Sequence, residues 1–488
     1  MAVKGKVYLV GAGPGDPELI TLRAKSLLEK AEVVLYDALV HPNLLKYCSS
    51  SCKLIGVGKR KGKHSEKQSS INNKMLDYAK EGLIVIRLKG GDPLIFGRGG
   101  EEMQFLSKNN ITFEVIPGIT SAIAVPTYAG IALTHRNLSR SVAFVTGTLK
   151  KGEVQLDIPI ADTLVFLMAV TNLEEIIDQI LKIDRFSRET PAALIYQGTL
   201  ADEKVIHGTL SSIVQEKNKY EVITPAIFVV GDVVGIAEQF NWRKELPLKG
   251  KRVVILREKE QAKDYIEKLS GLGAEVLGIP MLKIIPIKKE QKKITKKLLE
   301  AKDMIIFTSS NGVNCFLETL KQQKVDVRML SHLNIIAIGP KTAEQLEKAG
   351  LVADFIPKQY DVEGILNDLP EQLRGSNILL PLAEKARDAL EVGLQLRGAN
   401  TTRVNLYSTE KPLIEIVPIH DNDHIIFTSP STVENFFESN LYNNQQINVY
   451  SIGDQTSLKL SEFFTGNIMT AKTPTLESII ELLIASKD

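Results

Sequence analysis

The chain has 488 residues, more than the roughly 250–300 residues that one hydrophobic core organises, so two or three domains are expected. Its 44% apolar and 24% charged residues are typical of globular proteins, and a formal charge of +2 gives no whole-chain field that would favour nucleic acid or a membrane. The three cysteines are too few for a disulfide framework and lack zinc-ligand spacing, which favours a reducing compartment.

Short β-branched runs alternate with helical patterns in the first half of the chain. A helix is predicted over residues 18–30. Strands are predicted over residues 6–10, 32–36, 83–88, 113–116 and 226–230. Strands separated by helices indicate a largely parallel sheet in an α/β domain. The aperiodic stretch that follows contains Pro and Gly, so we place a linker at residues 241–249, after a first domain of residues 1–240.

The strand and helix pattern restarts in the second half, with a strand at 251–256, a helix at 259–272 and a strand at 275–277. Two segments are then repeated. Residues 305–313, IIFTSSNGV, return as 425–433, IIFTSPSTV, and residues 335–342, IIAIGPKT, return as 448–456, NVYSIGDQT. A single pair of such units indicates two similar α/β lobes with a cleft between them, because a solenoid needs at least three repeats.

A glycine-rich loop, GAGPGD at residues 11–16, follows the first predicted strand. With Asp37 about 20 residues later, it partly matches a dinucleotide-binding fingerprint. The match fails at the third glycine, where Asp16 would repel a pyrophosphate from the helix N-terminus. Two alternatives stay open, namely a plain strand-to-helix turn and a dinucleotide-dependent dehydrogenase fused to a two-lobed sensor.

Two further loops have a related composition. RLKGGDPLIFGRGGEE, residues 87–102, follows a strand, and its glycines let bare backbone approach a ligand, where Asp92 can accept hydrogen bonds. IPGITS, residues 116–121, opens a helix of small residues, and its hydroxyls either contact a ligand or cap that helix.

These loops, in this order, resemble the tetrapyrrole methyltransferases, and most closely the uroporphyrinogen-III C-methyltransferases. The resemblance covers about residues 4–240. It is carried by the motifs VGAGPGDPELIT, VVLYDALV, VGKRKG, RLKGGDPLIFGRGGEE, VIPGITSA, GIALTHR and TPAIFVVGDVV. The ordered set is specific, whereas one glycine-rich motif alone is weak.

The resemblance implies a site for S-adenosylmethionine and two proton-transfer residues. Asp37 and Lys59 match the family's proton acceptor and proton donor. The positions that match its cofactor site are Pro14, Gly90, Gly91, Asp92, Ile95, Thr120, Ser121, Met168 and Gly198. Physical chemistry agrees for Asp37, because methylation of a pyrrole carbon requires loss of a proton and ligands bind beyond the carboxyl ends of parallel strands. A turn-making role of Asp37 is the alternative.

A tetrapyrrole with many carboxylates needs cations that form charge-assisted hydrogen bonds. The candidates are Arg60, in the basic run at residues 59–64, and the pair His135 and Arg136, with Arg140 close by. A solvated loop explains the basic run as well, and an interior histidine explains His135. Arg136 suits carboxylate binding because it keeps its charge. No cluster has the spacing of a metal site, so no metal is expected.

The repeated FTS tripeptides place hydroxyls at helix starts. Thr308, Ser309, Thr428 and Ser429 offer hydroxyls and N–H groups that either bind carboxylates or simply cap their helices. Residues 250–488 resemble the uroporphyrinogen-III synthases. The matching pieces are IFTSSNGV, IAIGPKTAEQLEKAG, LLPLAEKARDAL, VNLYSTEKP, IIFTSPSTVENF and YSIGDQTSLKL.

The synthase family implies cofactor-free cyclisation of hydroxymethylbilane with inversion of the last ring, for which positioning is most of the catalysis. Tyr407 matches the family's tyrosine and is the best candidate to donate a proton to the leaving hydroxyl. Thr456 and Thr342 are secondary, and the sequence at 454–455 departs from the Pro-containing turn of the first repeat. The family pattern also implies one lobe of residues 250–285 with 413–488, a second lobe of residues 286–412, and hinge closure between them.

Together the resemblances predict an α/β protein, with a tetrapyrrole methylase fold of two α/β subdomains followed by a bilobal α/β synthase fold. They imply a bifunctional enzyme that makes uroporphyrinogen III and methylates it twice to precorrin-2, for sirohaem or cobalamin. The alternative is a methyltransferase of another corrinoid intermediate with a tetrapyrrole-binding but non-catalytic C-terminal module. The first half is expected to form a homodimer.

The expected partners are small-molecule tetrapyrroles, without nucleic acid or a membrane. The longest apolar run, residues 164–170, is too short for a membrane helix, and the N-terminus turns into a Gly/Pro loop before a signal-peptide core forms. The expected location is therefore the cytoplasm.

Overall fold

The computed structural model describes residues 5–49, 51–58, 67–148, 156–257, 259–281, 283–410, 418–439 and 441–486. Within these ranges the chain forms four five-stranded sheets. Two compact units contain them, Met1–Ile279 with Ile414–Asp488, and Pro280–Leu413. No helix in the described ranges is long and apolar enough to cross a membrane.

The first sheet is parallel throughout, with the strand order β3-β2-β4-β1-β5. Its strands are β1 (Lys6–Gly11), β2 (Val33–Tyr36), β3 (Lys53–Gly56), β4 (Ile84–Lys89) and β5 (Thr112–Ile116). Its helices are α1 (Leu22–Leu28), α2 (Pro42–Leu45), α3 (Gln68–Lys80), α4 (Gly99–Lys108) and α5 (Ser121–Tyr128). The central strands β1 and β4 are buried on both faces, as in Val7 and Ile86, because helices cover both faces of a parallel sheet.

The four strands predicted in this region are confirmed to within one residue at each end, but the predicted helix over residues 18–30 is wrong at its start. Asp16 accepts a hydrogen bond of 2.9 Å from the Glu18 N–H and opens a short 3-10 segment, Pro17–Leu19. Thr21 then accepts a hydrogen bond of 3.2 Å from the backbone of α1. Two successive capping side chains therefore divide a segment whose periodicity suggested one helix.

The second sheet is mixed, with the strand order β6-β7-β10-β8-β9. Its strands are β6 (Val142–Thr146), β7 (Thr163–Leu167), β8 (Pro191–Tyr196), β9 (Lys204–Thr209) and β10 (Ala226–Val230), and its helices are α6 (Leu173–Ile180) and α7 (Ile213–Lys219). Only β6 and β7 pair in parallel. The strand predicted at 226–230 is confirmed. A largely parallel sheet was expected in the first half of the chain, and of the two sheets there, the first is parallel and the second is not.

The chain continues as β11 (Arg252–Ile255), α8 (Lys259–Gly271) and β12 (Glu275–Gly278), which confirms the three elements predicted there. It then enters the unit Pro280–Leu413, whose sheet has the order β13-β17-β16-β14-β15, with β13 antiparallel to β17. The elements of this unit are β13 (Lys283–Pro286), α9 (Lys288–Gln291), α10 (Lys296–Glu300), β14 (Met304–Phe307), α11 (Ser310–Gln322), β15 (Asn334–Ala337), α12 (Pro340–Glu347), α13 (Val362–Asp368), β16 (Asn377–Ala383), α14 (Ala389–Leu396) and β17 (Asn400–Glu410).

The last segment returns to the first unit and completes the sheet begun by β11 and β12. The order of that parallel sheet is β12-β11-β18-β19-β20. Its remaining elements are β18 (His424–Phe427), α15 (Pro430–Phe437), β19 (Asn448–Ser451), α16 (Asp454–Ser461), β20 (Ile468–Thr470) and α17 (Leu476–Ala485). The sequence repeat is confirmed as a structural one, because β14-α11 corresponds to β18-α15 and β15-α12 corresponds to β19-α16.

The segment predicted as a linker, residues 241–249, packs against its neighbours. It contains a 3-10 turn, Trp242–Glu245, and Arg243 and Leu248 are buried. Arg243 Nη1 donates to both carboxylate oxygens of Glu203 at 3.1 Å, while the Leu248 N–H donates to the Leu272 carbonyl at 3.0 Å. The absence of periodicity in this segment therefore does not mean that it is free of contacts.

Candidate active sites

Asp37 follows β2 at the carboxyl end of the first sheet. Its Oδ1 accepts a hydrogen bond of 2.5 Å from Nη2 of Arg87, on the neighbouring strand β4. The Arg87 side chain is 3% exposed, whereas the Asp37 side chain is 30% exposed. The turn-making alternative involves only the backbone carbonyl of Asp37, which accepts from the Val40 N–H at 3.2 Å. A buried guanidinium thus fixes a carboxylate that remains accessible.

Glu102 of α4 lies behind Arg87 and is completely buried. Its Oε1 accepts hydrogen bonds from Arg87 Nε at 3.2 Å, Lys89 Nζ at 3.0 Å and Gln68 Nε2 at 2.9 Å. Its Oε2 is buried without a hydrogen-bond partner among the described residues. Two cations face one buried anion here, so the cluster is electrically balanced only with an anion at Asp37.

Lys89 is the buried amine of this cluster. Burial lowers its pKa below the ordinary lysine value, the charge of Arg87 lowers that pKa further, and the carboxylates of Glu102 and Asp37 offset part of the change. Sequence analysis missed Arg87, Lys89 and Glu102 as site residues, although all three lie in a motif it singled out. The available signal was two charges at alternate positions of an otherwise apolar central strand.

The three glycine-rich loops meet backbone to backbone. The Gly91 N–H donates to the Gly13 carbonyl at 2.7 Å, and the reverse bond measures 3.2 Å. A Cβ atom on Gly118 would lie 2.3 Å from the Gly91 carbonyl oxygen and 2.7 Å from the Gly11 Cα. Any side chain at Gly118 would therefore force these loops apart. Pro14 lies in the first of them, next to Gly13.

Two of the predicted cofactor residues take part in holding these loops. The Asp92 carboxylate accepts from the backbone two residues later at 2.8 Å and from the Gly118 N–H at 3.0 Å. Thr120 is buried, and its hydroxyl accepts from the Ala122 N–H at 3.3 Å, so Thr120 caps α5, and contact with the cofactor stays a prediction. Ser121 is the first residue of α5.

Other predicted cofactor residues present uncovered apolar surface or unusual backbone. Ile95 is 38% exposed and Met168 is 49% exposed. A Cβ atom added to Gly90 would lie 3.4 Å from the Cβ of Leu39. Met168 and Phe96, the residue after Ile95, have φ values of 57° and 53°. Left-handed backbone at non-glycine residues costs free energy and concentrates at functional sites.

Gly198 belongs to a further loop that touches the first one. A Cβ atom on Gly198 would lie 2.4 Å from Val125 on α5. The next residue, Thr199, has a φ of 73°, and its hydroxyl accepts from the Asp16 N–H at 3.0 Å. The Asp16 carboxylate in turn accepts from the Tyr128 hydroxyl at 2.8 Å. Asp16, the residue that argues against a pyrophosphate site, thus hydrogen-bonds to Thr199 and Tyr128 and holds the first loop against them.

The structure describes only some of the basic residues predicted for the methylase site. The predicted proton donor Lys59 and the predicted substrate-binding residue Arg60 lie outside the described residues. His135 is half-buried in a turn. Its backbone N–H donates to the Ser139 carbonyl at 2.9 Å, and its ring Nδ1 accepts from the Asn137 N–H at 3.4 Å. His135 is therefore not an interior histidine, and the adjacent Arg136 is exposed.

In the unit Pro280–Leu413, Tyr407 and Ser309 form a pair. The Tyr407 hydroxyl lies 3.0 Å from Ser309 Oγ, which also accepts from the Gly312 N–H at 3.0 Å and so caps α11. Tyr407 is buried, and burial raises its pKa, although the hydrogen bond to Ser309 acts in the opposite direction. Thr308 is half-buried at the start of the same turn.

The corresponding hydroxyls of the first unit are arranged differently. Ser429 Oγ accepts from the Thr432 N–H at 3.4 Å and caps α15, while Thr428 accepts from Arg257 Nε at 3.2 Å. Thr456 is buried in α16. Both serines therefore cap their helices, and binding of a substrate carboxylate at either one stays a prediction. Sequence analysis missed Arg257, because it follows β11 without any motif. In the described parts of the chain, no group of His, Cys, Asp and Glu side chains could hold a metal ion.

Two family profiles match this chain. The tetrapyrrole (corrin/porphyrin) methylases match residues 6–214, and uroporphyrinogen-III synthase HemD matches residues 263–481. A porphyrin biosynthesis protein HemD from Ruminiclostridium josui is 34% identical over 495 residues, which cover 98% of each chain. The chain belongs to the tetrapyrrole methylases, fused to a uroporphyrinogen-III synthase. Both resemblances found in the motifs are thereby confirmed, and the dehydrogenase alternative is set aside.

We call residues 6–214 the methylase half and residues 263–481 the synthase half. A uroporphyrinogen-III C-methyltransferase from Methanocaldococcus jannaschii is 51% identical over 238 residues, which cover 48% of this chain and 98% of that protein. A solved structure of uroporphyrin-III C-methyltransferase from Thermus thermophilus, complexed with S-adenyl homocysteine, is 38% identical, covering 47% of this chain and 99% of that chain with a TM-score of 0.41.

Proposed function

We propose that the chain carries out two consecutive steps of tetrapyrrole synthesis. The synthase half cyclises hydroxymethylbilane to uroporphyrinogen III, and the methylase half transfers two methyl groups from S-adenosylmethionine to that product, which gives precorrin-2. The observation that carries the proposal is the accessible Asp37 carboxylate, fixed by buried Arg87 where three glycine-rich loops meet, in a chain of the tetrapyrrole methylase family.

The residues at the methylase loops fit a methyl donor of this kind. Bare glycine backbone and the exposed apolar side chain of Ile95 in the same loop suit a ligand with both polar and apolar parts, and Met168 offers a second exposed apolar side chain. S-adenosylmethionine supplies an electrophilic methyl group. The site residues proposed for it are Pro14, Gly90, Gly91, Asp92, Ile95, Thr120, Ser121, Met168 and Gly198.

Methyl transfer forms a bond between a pyrrole carbon and the methyl carbon, breaks the sulfur–methyl bond and leaves one proton on the macrocycle. Asp37 is proposed to accept that proton, or to stabilise the positive charge before it leaves, and Lys59 to act as the proton donor. Arg60, His135 and Arg136 are proposed to bind substrate carboxylates. Exposure of Arg136 supports its part in this, because a rim cation meets an incoming polyanion first.

In the synthase half, Tyr407 is proposed to donate a proton to the hydroxyl that leaves hydroxymethylbilane. A phenol is protonated at neutral pH, as a proton donor requires, and burial raises the pKa of Tyr407 further, while Ser309 fixes the direction of the hydroxyl. Thr456 is a secondary candidate. Thr308, Ser309, Thr428 and Ser429 are proposed to bind substrate carboxylates through backbone N–H groups and hydroxyls at helix starts.

The finer organisation follows the family resemblance. We propose domains of residues 1–240 and 250–488 joined by 241–249, with synthase lobes of 250–285 plus 413–488 and of 286–412. We also propose a homodimer through the methylase half, and a cytoplasmic location.

The direct test is to incubate the purified full chain with hydroxymethylbilane and labelled S-adenosylmethionine. The expected product is a doubly methylated macrocycle, and omission of the methyl donor should leave uroporphyrinogen III. Methylation of supplied uroporphyrinogen III without any cyclisation would support the alternative of a non-catalytic C-terminal module. A chain that binds neither S-adenosylmethionine nor S-adenosylhomocysteine would contradict the methyltransferase proposal.

A further inference from the structure

Strand β12 of the synthase half packs directly on the methylase half, within one compact unit. Asn43 Nδ2, on α2, donates to the Val276 carbonyl at 2.5 Å, and the Lys46 ammonium donates to the Gly278 carbonyl. Helix α2 begins five residues after Asp37. The second half of the chain therefore contacts the segment that follows the proposed proton acceptor.

Glu275, at the start of β12, contacts two separate loops of the methylase half. Its Oε2 accepts a hydrogen bond of 2.8 Å from the Ala201 N–H, and its Oε1 lies 3.5 Å from His41 Nε2. His41 is buried, and its Nδ1 accepts from the Asn43 N–H at 3.2 Å, so the ring proton is on Nε2, which lies near Glu275 but has no hydrogen-bond partner among the described residues. One carboxylate thus joins two segments that are far apart in sequence.

The environment of Glu275 favours the ionised carboxylate. Its side chain is 12% exposed, and Arg252 Nε lies 3.4 Å from Oε1. Burial alone would raise the pKa of Glu275, but the neighbouring His41 ring, the Ala201 N–H and the charge of Arg252 together hold that pKa below its usual value. The carboxylate is therefore a fixed acceptor for the Ala201 N–H at neutral pH and lies beside the His41 ring.

Both loops held by Glu275 belong to the methylase site. Ala201 lies three residues after Gly198 and two residues after Thr199, whose hydroxyl accepts from the first glycine-rich loop. His41 ends the turn that Asp37 begins. The hydrophobic contact of β12 is made by another of its residues, Val276.

We propose that Glu275, a residue of the synthase half, is a positioning residue for methyl transfer, because it fixes the loops that carry Gly198 and Asp37. Methyl-donor affinity then depends on the presence of the synthase half. The proposal rests on the methyltransferase function proposed above. A residue that served only to attach the two halves would affect folding without a selective effect on the methyl donor.

The test compares full-length variants by calorimetric titration with S-adenosylhomocysteine. Glu275→Ala is expected to raise the Kd about tenfold, the typical effect of losing one hydrogen bond to a charged group. Glu275→Gln, whose amide oxygen still accepts from the Ala201 N–H, is expected to raise it about threefold. The matched control is Glu477→Ala, an exposed glutamate of the same half paired with Lys268, which should leave the Kd unchanged.

Cyclisation of hydroxymethylbilane by the same variants separates positioning from damage. The rate of that reaction should stay within about twofold of wild type while the rate of methylation falls. Equal Kd values for Glu275→Ala and wild type, or a parallel loss of both activities, would overturn the proposal for Glu275. A wild-type chain that fails to bind S-adenosylhomocysteine would instead remove the methyltransferase function on which it rests.

Discussion

The two candidate sites of this chain hold their reactive groups by different means. In the methylase half, Asp37 is fixed by a charged hydrogen bond from Arg87, which is itself anchored by fully buried Glu102. In the synthase half, Tyr407 is fixed by a neutral hydrogen bond with Ser309 at the start of a helix. The first arrangement depends on buried charges that must remain paired, and the second on a hydroxyl that also serves as a helix cap.

The backbone conformation also differs between the methylase loops and the helix starts of the repeat. Phe96, in the loop of residues 87–102, Thr199, which bonds to Asp16, and Met168 have left-handed backbone without being glycine. Ser309 and Ser429 have φ values of −164° and −166°, an extended conformation that any residue adopts at a helix start. The methylase site depends on strained loops and buried charge, whereas the synthase site combines a local helix cap with one neutral tertiary contact, from Ser309 to Tyr407. The two sites should therefore respond differently to substitution.

The largest effect is expected from Arg87→Met, which leaves Glu102 facing Lys89 alone and Asp37 without its partner. Breaking a buried ion pair typically costs about 3–5 kcal/mol, so the free energy of unfolding of the methylase half should fall by that amount. Methylation of uroporphyrinogen III should fall at least 100-fold, because Asp37 loses its orientation. Urea denaturation and a methyl-transfer assay measure the two effects.

The matched control is Arg98→Met, which removes an exposed arginine of the same motif that pairs with Glu101. Loss of a surface ion pair should change the free energy of unfolding by less than about 1 kcal/mol. Similar destabilisation by both variants would contradict the view that burial gives the Arg87 cluster its importance.

The next largest effect is expected from Tyr407→Phe in the synthase half. Loss of a general acid typically costs about 10²–10⁴ in rate, so cyclisation should slow to that extent, while methylation of supplied uroporphyrinogen III should stay unchanged. Tyr450→Phe is the control, because that buried hydroxyl bonds to His424 and Ser486 and has no proposed part in the reaction. A normal cyclisation rate in Tyr407→Phe would remove Tyr407 from the mechanism.

Most of the fold could be predicted from the sequence because its signals are local. Strands of β-branched residues, the repeat of IIFTS and the restart at residue 251 all depend on neighbours along the chain. The helix predicted over residues 18–30 failed because hydrophobic periodicity does not show that Asp16 and Thr21 both cap. The segment 241–249 had no local pattern, yet Arg243 is buried through its contact with Glu203.

The candidate site could be predicted only in part, for the same reason. The glycine-rich loops carry recognisable motifs, and they do meet in space. The importance of Glu102 and Glu275 depends on which distant groups surround them, and no spacing rule conveys that. The roles assigned to individual residues, including Lys59 and Arg60, stay predictions.

A pH experiment tests the charged cluster more finely. The pKa of Lys89 is lowered in the folded protein, so between that lowered value and the ordinary value of 10.5 the unfolded chain holds a proton that the folded chain lacks. The free energy of unfolding from this residue therefore rises with pH through that window, by at most about 1.4 kcal/mol per pH unit. Urea denaturation at several pH values should show that Lys89→Met loses this rise, and an unchanged pH dependence would contradict burial of the charged amine.

The smallest effect separates the two copies of the repeat. Ser309 and Ser429 both cap a helix, so replacement of either by alanine should lower the free energy of unfolding by about 1 kcal/mol. Only Ser309 also touches the Tyr407 hydroxyl, so Ser309→Ala should in addition slow cyclisation about tenfold, whereas Ser429→Ala should not. Thermal denaturation and the cyclisation assay on both variants decide this. If both substitutions slow cyclisation equally, the two serines share a role such as substrate binding, and the hydrogen bond from Ser309 to Tyr407 does not contribute to catalysis.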